Sequence, residues 1–346
     1  MSGSKNSESW CLRTFVVIGA AFPRVLSAFA SIAFACNAMA ADAPAKYPQR
    51  PLRMVVPYAA GGNGDIMARV VAQGLAQRIG QQVVVDNRGG ATGIIGMEIA
   101  AKAPADGYTL LFVANGIATN VVFASKLPYD TLHDLAPLTL TGNTPILLVG
   151  NASLPAKNVK ELIALAKARP GELNYGTSGN GSTGNLAGEL FKLMAGVNLV
   201  HVPYKATAQA VTDVIGGQLQ LAFPGFTGVL PHVRSGKLRG IGLTSAQRSP
   251  LAPDIPTVAE SGVPGYEAGI WNGMLVRAGT PQAIVDYLSR EIVAVIDSPH
   301  TRERFAALGA DPLTSTPDGF ARYIRAEIAK WSKVAKAADI RIDLTQ

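Results

Sequence analysis

Short apolar runs bounded by Gly, Pro, Asn or Asp alternate along this chain with longer stretches in which apolar residues recur every three or four positions. The short runs predict strands at 52–56, 82–86, 109–113, 146–149, 174–177, 199–202, 219–223, 239–244 and 274–277. The periodic stretches predict helices at 66–79, 93–101, 159–168, 186–194, 208–215, 281–295 and 317–337. In the last of these, Phe320, Ile324, Ile328 and Trp331 form an apolar stripe near helical spacing, which suits packing rather than ligand contact. Strands alternating with helices predict α/β units on mostly parallel sheets.

Two strand-to-helix junctions are rich in glycine. The first, Val56 to Asp65 (VPYAAGGNGD), breaks a strand at Pro57, turns at Gly61 and Gly62, and opens a helix with Asn63 or Asp65 at its N-terminus. Residues without a Cβ let a ligand approach the main chain, and the helix dipole favours an anion there. The second, Gly179-Asn180-Gly181-Ser182-Thr183-Gly184, matches the dinucleotide fingerprint letter for letter. However, the next strand ends at Val202-Pro203-Tyr204-Lys205 without the acid that would reach a ribose. A second anion cradle, with main-chain N–H groups and the Ser178, Ser182 and Thr183 hydroxyls facing the ligand, fits better than a cofactor. A turn with an ordinary Ser or Thr cap is the plain alternative.

The N-terminal residues decide where such a site would work. Lys5 and Arg13 precede an apolar stretch interrupted at Arg24, then Val25 to Ala35 and the small-residue sequence Ala38-Met39-Ala40. This pattern predicts a secretory signal peptide over residues 1–40, cleaved after Ala40, and therefore a location outside the cytoplasm. Cys11 and Cys36 both fall inside it, so the mature chain would have no thiol chemistry or disulfides, unless Cys36 serves as a lipidation site. The roughly 300 residues that remain favour two domains. The formal charge of +7 falls to about +5 without Lys5, Arg13, Arg24 and Glu8, and it is spread without basic runs, which argues against a nucleic-acid partner.

Catalytic machinery is not readable. Ser178 has Gly176 before it but Asn180 where a nucleophile elbow needs glycine. His133, His201, His232 and His300 lack any paired ligand spacing, so neither a metal nor a cofactor is expected. The acids show no spacing that would couple a general acid to a base.

Several segments together resemble one family. Tyr47-Pro48 with Pro51, the VPYAAGGNGD turn, Ala105-Asp106-Gly107-Tyr108-Thr109-Leu110, Tyr129-Asp130, VPYKATAQAVTDVIGGQLQ from Val202, LPHVRSGKLRGIGLTS from Leu230 and IPTVAESGVPGYE from Ile255 are similar to the tripartite tricarboxylate transporter substrate-binding proteins, the Bug receptors, in order and across the whole mature chain. The resemblance implies a two-lobed, type II-like periplasmic binding protein fold with a hinge. Lobe 1 would hold residues 41–141 and 246–346, and lobe 2 residues 142–245. It also implies a small carboxylate ligand, a di- or tricarboxylate or an aromatic acid, handed to membrane transporter subunits by a monomeric, non-enzymatic receptor.

Carried over position by position, Tyr58, Ala59, Gly61 and Gly62 would contact the ligand from one lobe, and Ser178, Gly179, Asn180, Gly181, Ser182 and Thr183 from the other. Asn115, Thr119, Phe223 and Phe226 would line the remaining walls. Asp65 suits a helix cap rather than a contact, since a carboxylate would repel the ligand, and Trp271 could cover the cleft or pack inside. Two departures stand near the expected specificity wall: Gly184-Asn185 where the family commonly has a small residue and then His, and Ala222 to Phe226 without the polar group many members carry. With no Arg in either turn, they tilt the expectation toward a less polar or aromatic carboxylate. A sensor without a transport role and an exported α/β hydrolase are the competing functions.

Overall fold

The structure, a computed structural model, describes residues 47–338; the predicted signal peptide and its cleavage site lie outside them. In chain order the elements are β1 (Leu52–Val56), α1 (Asn63–Ile79), β2 (Val83–Asn87), α2 (Ile94–Ala101), β3 (Thr109–Ala114), α3 (Gly116–Phe123), β4 (Leu135–Pro145) and β5 (Leu147–Asn151). There follow α4 (Val159–Ala168), β6 (Asn174–Thr177), α5 (Thr183–Ala195), β7 (Val200–Pro203), α6 (Thr207–Ile215), β8 (Leu221–Ala222), α7 (Phe226–Arg234) and β9 (Leu238–Leu243). The chain ends with β10 (Gly269–Arg277), α8 (Gln282–Ile296), α9 (Pro299–Ala307), β11 (Asp311–Pro312) and α10 (Pro317–Ala338).

These strands form two sheets, one ordered β11-β4-β10-β3-β1-β2 and the other β7-β6-β8-β5-β9. Both are mixed rather than mostly parallel. Parallel pairing joins β2, β1 and β3 in the first sheet and β7, β6 and β8 in the second. β10 and β4 pair antiparallel across the first sheet, and β5 pairs antiparallel with β8 and β9 in the second. The reason is the passage between sheets: β4 runs into β5 with only Ile146 between them, and a strand that enters a sheet without a crossover helix is free to pair antiparallel.

That passage is tied to the returning chain. Ile146 N–H donates to Thr244 Oγ1 at 3.1 Å, and Thr244 N–H donates to the Ile146 carbonyl at 3.0 Å, with Thr244 fully buried. Apolar clusters cover both faces of each sheet. Met54, Leu75, Phe112 and Leu288 belong to one face of the six-stranded sheet, and Val113, Ile117, Trp271 and Phe320 to the other. Helix α10 serves both sheets: Phe320 and Ile324 join the cluster around Trp271, while Trp331 and Val334 join the cluster of Leu148, Tyr175 and Phe191 under the five-stranded sheet.

Candidate functional site

The two glycine-rich turns have the same construction. In each, a glycine at positive φ (Gly61 at 85°, Gly181 at 72°) precedes an N-cap residue in extended backbone (Gly62, Ser182), and the helix starts at the next residue. The third helical residue then reaches back to the positive-φ glycine. Gly61 N–H donates to Asp65 Oδ2 at 2.8 Å, and Gly181 N–H donates to Asn185 Oδ1 at 2.9 Å. Two sequence expectations change as a result. The Gly61 and Gly181 N–H groups, expected to face a ligand, are used inside the turns, and Asp65 is not the helix cap but the residue that closes the turn behind it.

Each closing residue is held from below. Asp65 is almost fully buried and also accepts from Arg69 Nε at 3.0 Å and Asn87 Nδ2 at 2.9 Å. Burial works to raise its pKa, yet the hydrogen bonds from Arg69, the Gly61 N–H and Asn87 outweigh it and hold the carboxyl below its ordinary value. Asn185 donates to Tyr175 Oη at 3.2 Å, and Tyr175 in turn donates to Glu189 at 2.6 Å. In the second turn Ser182 caps the helix by accepting from Asn185 N–H at 3.2 Å and donates to the Gly179 carbonyl at 2.8 Å. Gly179 N–H is taken by Thr177 Oγ1 at 3.3 Å, and that hydroxyl lies 2.7 Å from His201 Nε2. Burial pushes the His201 pKa below its ordinary value.

A cavity of about 350 Å³ lies between the two sheets. From the first lobe it is walled by Tyr58, Thr92, Asn115, Thr119, Asn120 and Phe123, and from the second by Asn180 to Thr183 and Leu186. Tyr58 accepts a hydrogen bond from Ala114 N–H, and burial raises its pKa so that the phenol keeps a proton to donate. A smaller cavity of about 180 Å³ shares Tyr58 and Ala114 in its lining and is otherwise walled by Asn63, Gly64, Met67, Thr144, Ile270 and Asn272. Among the described residues, no charged side chain lines either cavity. Among the described residues, no three His, Cys, Asp or Glu side chains gather as a metal site.

The expected site residues are therefore divided. The fold brings Tyr58, Asn115, Thr119, Asn180, Gly181, Ser182 and Thr183 to the lining of one cavity. Ala59, Gly61 and Gly62 are exposed at the tip of their turn, and Ser178 and Gly179 stand beside the second turn outside the cavity lining. Phe223 and Phe226 are corrected to core residues: Phe223 packs edge-on to Tyr175 at 5.5 Å, Phe226 belongs to the cluster of Leu147 and Val149, and neither is more than 2% exposed. Trp271 is likewise interior, edge-on to Phe320 and Tyr323.

Sequence reasoning missed Thr92, Asn120, Phe123 and Leu186. One of them has a structural mark. Thr92, preceded by Ala91 at φ 45°, sits in the left-handed region at φ 53°, ψ 29°, which a β-branched residue rarely adopts. Its carbonyl accepts from Asn120 Nδ2 at 3.2 Å, and its hydroxyl lies 3.2 Å from Asn120 Oδ1. Backbone strain of this kind persists where surrounding contacts impose it, often at ligand sites.

Two sheets joined by crossing strands, with a polar cavity between them, define a two-lobed solute-binding protein. The chain matches the family described as "Tripartite tricarboxylate transporter family receptor" over residues 67–340, and it belongs to that family. It is 39% identical over 298 residues to Protein BugT of Bordetella pertussis, a match covering 86% of this chain and 91% of that protein. A solved R. palustris protein with adipate is 40% identical and has a TM-score of 0.69, covering 85% of this chain and 99% of that one. A Polaromonas solute-binding protein solved without ligand is 26% identical with a TM-score of 0.78, covering 84% of this chain and 99% of that one.

Proposed function

We propose that the protein is an exported, periplasmic receptor that takes a small carboxylate into the cleft between its lobes and presents it to membrane subunits of a tripartite tricarboxylate-type transporter. The observation that carries this reading is the cavity faced by both lobes, with the first turn of α5 on one side and the Tyr58 hydroxyl on the other. Neutral donors of this kind, a phenol, amides, hydroxyls and unpaired helix N-terminal N–H groups, suit a carboxylate without a guanidinium clamp. Adipate in a relative of 40% identity supports the ligand class. The ligand contacts are proposed to be Tyr58, Asn115, Thr119, Asn180, Gly181, Ser182 and Thr183.

In this reading the signal peptide ends at Ala40, and the protein is a monomer whose lobe 1 holds residues 41–141 and most of 246–346. Lobe 2 holds residues 142–245 together with the Val258 to Ala268 stretch and the Trp331 end of α10, which pack under the five-stranded sheet. The hinge lies at Ile146 and Thr244. Agreement is higher with the ligand-free relative than with the adipate-bound one, although identity is lower. That is what an open cleft would give, with ligand binding favouring a closed state by its greater affinity for it.

The test is thermal unfolding of the purified protein with panels of carboxylates, sugars and neutral amino acids. A carboxylate at a hundred times its Kd should add about 2.7 kcal/mol. Stabilisation by a sugar, with none by any carboxylate, would overturn the reading.

A further inference from the structure

We propose that Asn180 is a modification site: its side-chain amide is lost spontaneously through attack by the Gly181 nitrogen, and the carboxylate left in its place weakens anion binding as the protein ages. The chain contains the dipeptide Asn-Gly four times, starting at Asn63, Asn115, Asn180 and Asn272. All four asparagines stand in the cavity linings, Asn115 and Asn180 in the larger and Asn63 and Asn272 in the smaller. A glycine has no side chain to shield its main-chain nitrogen from the preceding residue. The reaction needs only water and base. The Gly181 nitrogen gives up its proton and bonds to Asn180 Cγ, the Cγ–Nδ2 bond breaks, and ammonia departs. Water then opens the five-membered imide at either carbonyl carbon, which leaves aspartate or isoaspartate.

The fold sets the order among the four. Asn272 is buried in β10 between β3 and β4, and its Nδ2 donates to the Val113 carbonyl at 3.3 Å. Asn115 is also buried, and its carbonyl accepts from the Ala118 and Thr119 N–H groups, both at 3.0 Å. Asn63 is exposed but begins α1, and helical backbone holds the following nitrogen away from the side-chain carbon. Of the four, Asn180 is the one exposed on a turn outside helix and strand, and among the described residues its side chain has no hydrogen-bond partner. One bond restrains it: Gly181 N–H donates to Asn185 Oδ1 at 2.9 Å, so the reaction waits for that bond to open. The product matters because the described residues lining this cavity carry no charge. A carboxylate there repels an anion, and the isoaspartate form also adds a methylene to the backbone of the turn. This consequence rests on the carboxylate reading above; the modification itself does not.

The test holds the purified protein at mildly alkaline pH, folded and in urea, and maps peptides from an acid digest by mass spectrometry over time. In the folded protein a gain of one mass unit should appear at Asn180 before the other three, and in urea the other three should keep pace. Asn180→Gln, whose longer side chain closes an imide ring far more slowly, should lose that first gain. Earlier conversion of any other asparagine, the same order in urea, or no conversion of Asn180 in folded protein while urea permits it would each overturn the assignment. Succinate, glutarate, malate, citrate and benzoate then probe the consequence by calorimetric titration. Affinity for those that bind the fresh protein should decline with the fraction converted, and Asn180→Asp should lose about tenfold or more, with melting curves confirming its fold. Undiminished affinity in Asn180→Asp would overturn the effect on binding. Binding of none of the five by fresh protein would count against the carboxylate reading, while the mass result still decides the modification.

Discussion

Trp271 and Trp331 donate their indole N–H groups to the same oxygen of Glu327, at 2.9 and 3.0 Å. Trp271 lies on β10 of the six-stranded sheet, whereas Trp331 packs under the five-stranded sheet, so one buried carboxylate on α10 ties the hydrophobic clusters of both lobes. Lys330 supplies the countercharge to Glu327 and also donates to the Glu267 carbonyl at 3.0 Å. Glu327→Ala would leave both indoles unpaired in the interior and should cost about 3 kcal/mol. Glu327→Gln keeps an acceptor oxygen and should cost less. Since Trp10 lies in the predicted signal peptide, these two indoles would be the mature chain's fluorophores. Ligand titration should shift their emission if the lobes move about α10; unchanged emission at saturation would count against such movement.

The equivalence of Asp65 and Asn185 predicts how the turns tolerate change. Because an amide closes the second turn, Asp65→Asn should preserve the first, losing only the charge that receives Arg69 and the acceptor offered to Asn87. A loss of about 1 kcal/mol is expected, against about 3 kcal/mol for Asp65→Ala, which leaves several donors unsatisfied. Urea unfolding of both variants decides this, and equal losses would show that charge rather than turn closure is what matters.

Acid should weaken the protein in two separate windows. His201 has a folded pKa below its ordinary 6.5, so its contribution is complete above that value and is lost as pH falls toward the folded pKa. Asp65 has a folded pKa below 3.8, so its contribution is complete above that value and is lost only at lower pH. Melting temperature measured against pH should therefore fall first below about 6.5. His201→Gln should flatten that first decline and leave the later one in place. An unchanged first decline would assign it to other groups.

Much of the fold was legible because burial on both sheet faces leaves short Val-, Leu- and Ile-rich runs such as Leu52 to Val56 and Thr109 to Ala114. β4 was not, since Pro137 and Pro145 with the Gly142-Asn143-Thr144 stretch read as turn signals and hide the short Leu138-Thr139-Leu140-Thr141 alternation between them. Its stability comes from pairing with β10, a contact between distant segments. The same limit applied to the site. Both glycine turns were visible, but their internal bonds depend on side chains reaching back four residues. Phe223 and Phe226 follow a strand of only two residues, where one step decides between cleft and core. Thr92 and Asn120 meet only through the tertiary fold.

Gly62 separates ligand approach from backbone conformation. Gly61 has a positive φ, so a side chain there would strain the turn by about 1 kcal/mol or more whether or not ligand approaches. Gly62 has φ −76°, and a Cβ would meet nothing nearer than the Ala59 carbonyl at 3.7 Å. Since Ser182 holds the matching position in the second turn, Gly62→Ser should cap α1 and change stability by only a few tenths of a kcal/mol, in the favourable direction. If ligand approaches that backbone, affinity should drop about tenfold or more while the melting temperature holds. Unimpaired affinity would place the ligand away from the tip of the first turn.

Thr92 offers the clearest trade between stability and binding. Its left-handed backbone costs roughly 1–2 kcal/mol for a side chain with a Cβ, and its hydroxyl and carbonyl meet Asn120 at the cavity wall. Thr92→Gly should remove that strain, partly offset by the greater freedom glycine has when unfolded, for a net gain of about 0.5–1 kcal/mol. The same change removes a hydroxyl from the cavity and loosens Asn120, so carboxylate affinity should fall severalfold. Urea unfolding and calorimetric titration of the one variant read both quantities. A variant that is both more stable and equally tight would show that the strain at Thr92 serves chain geometry alone, with Asn120 held in place by other contacts.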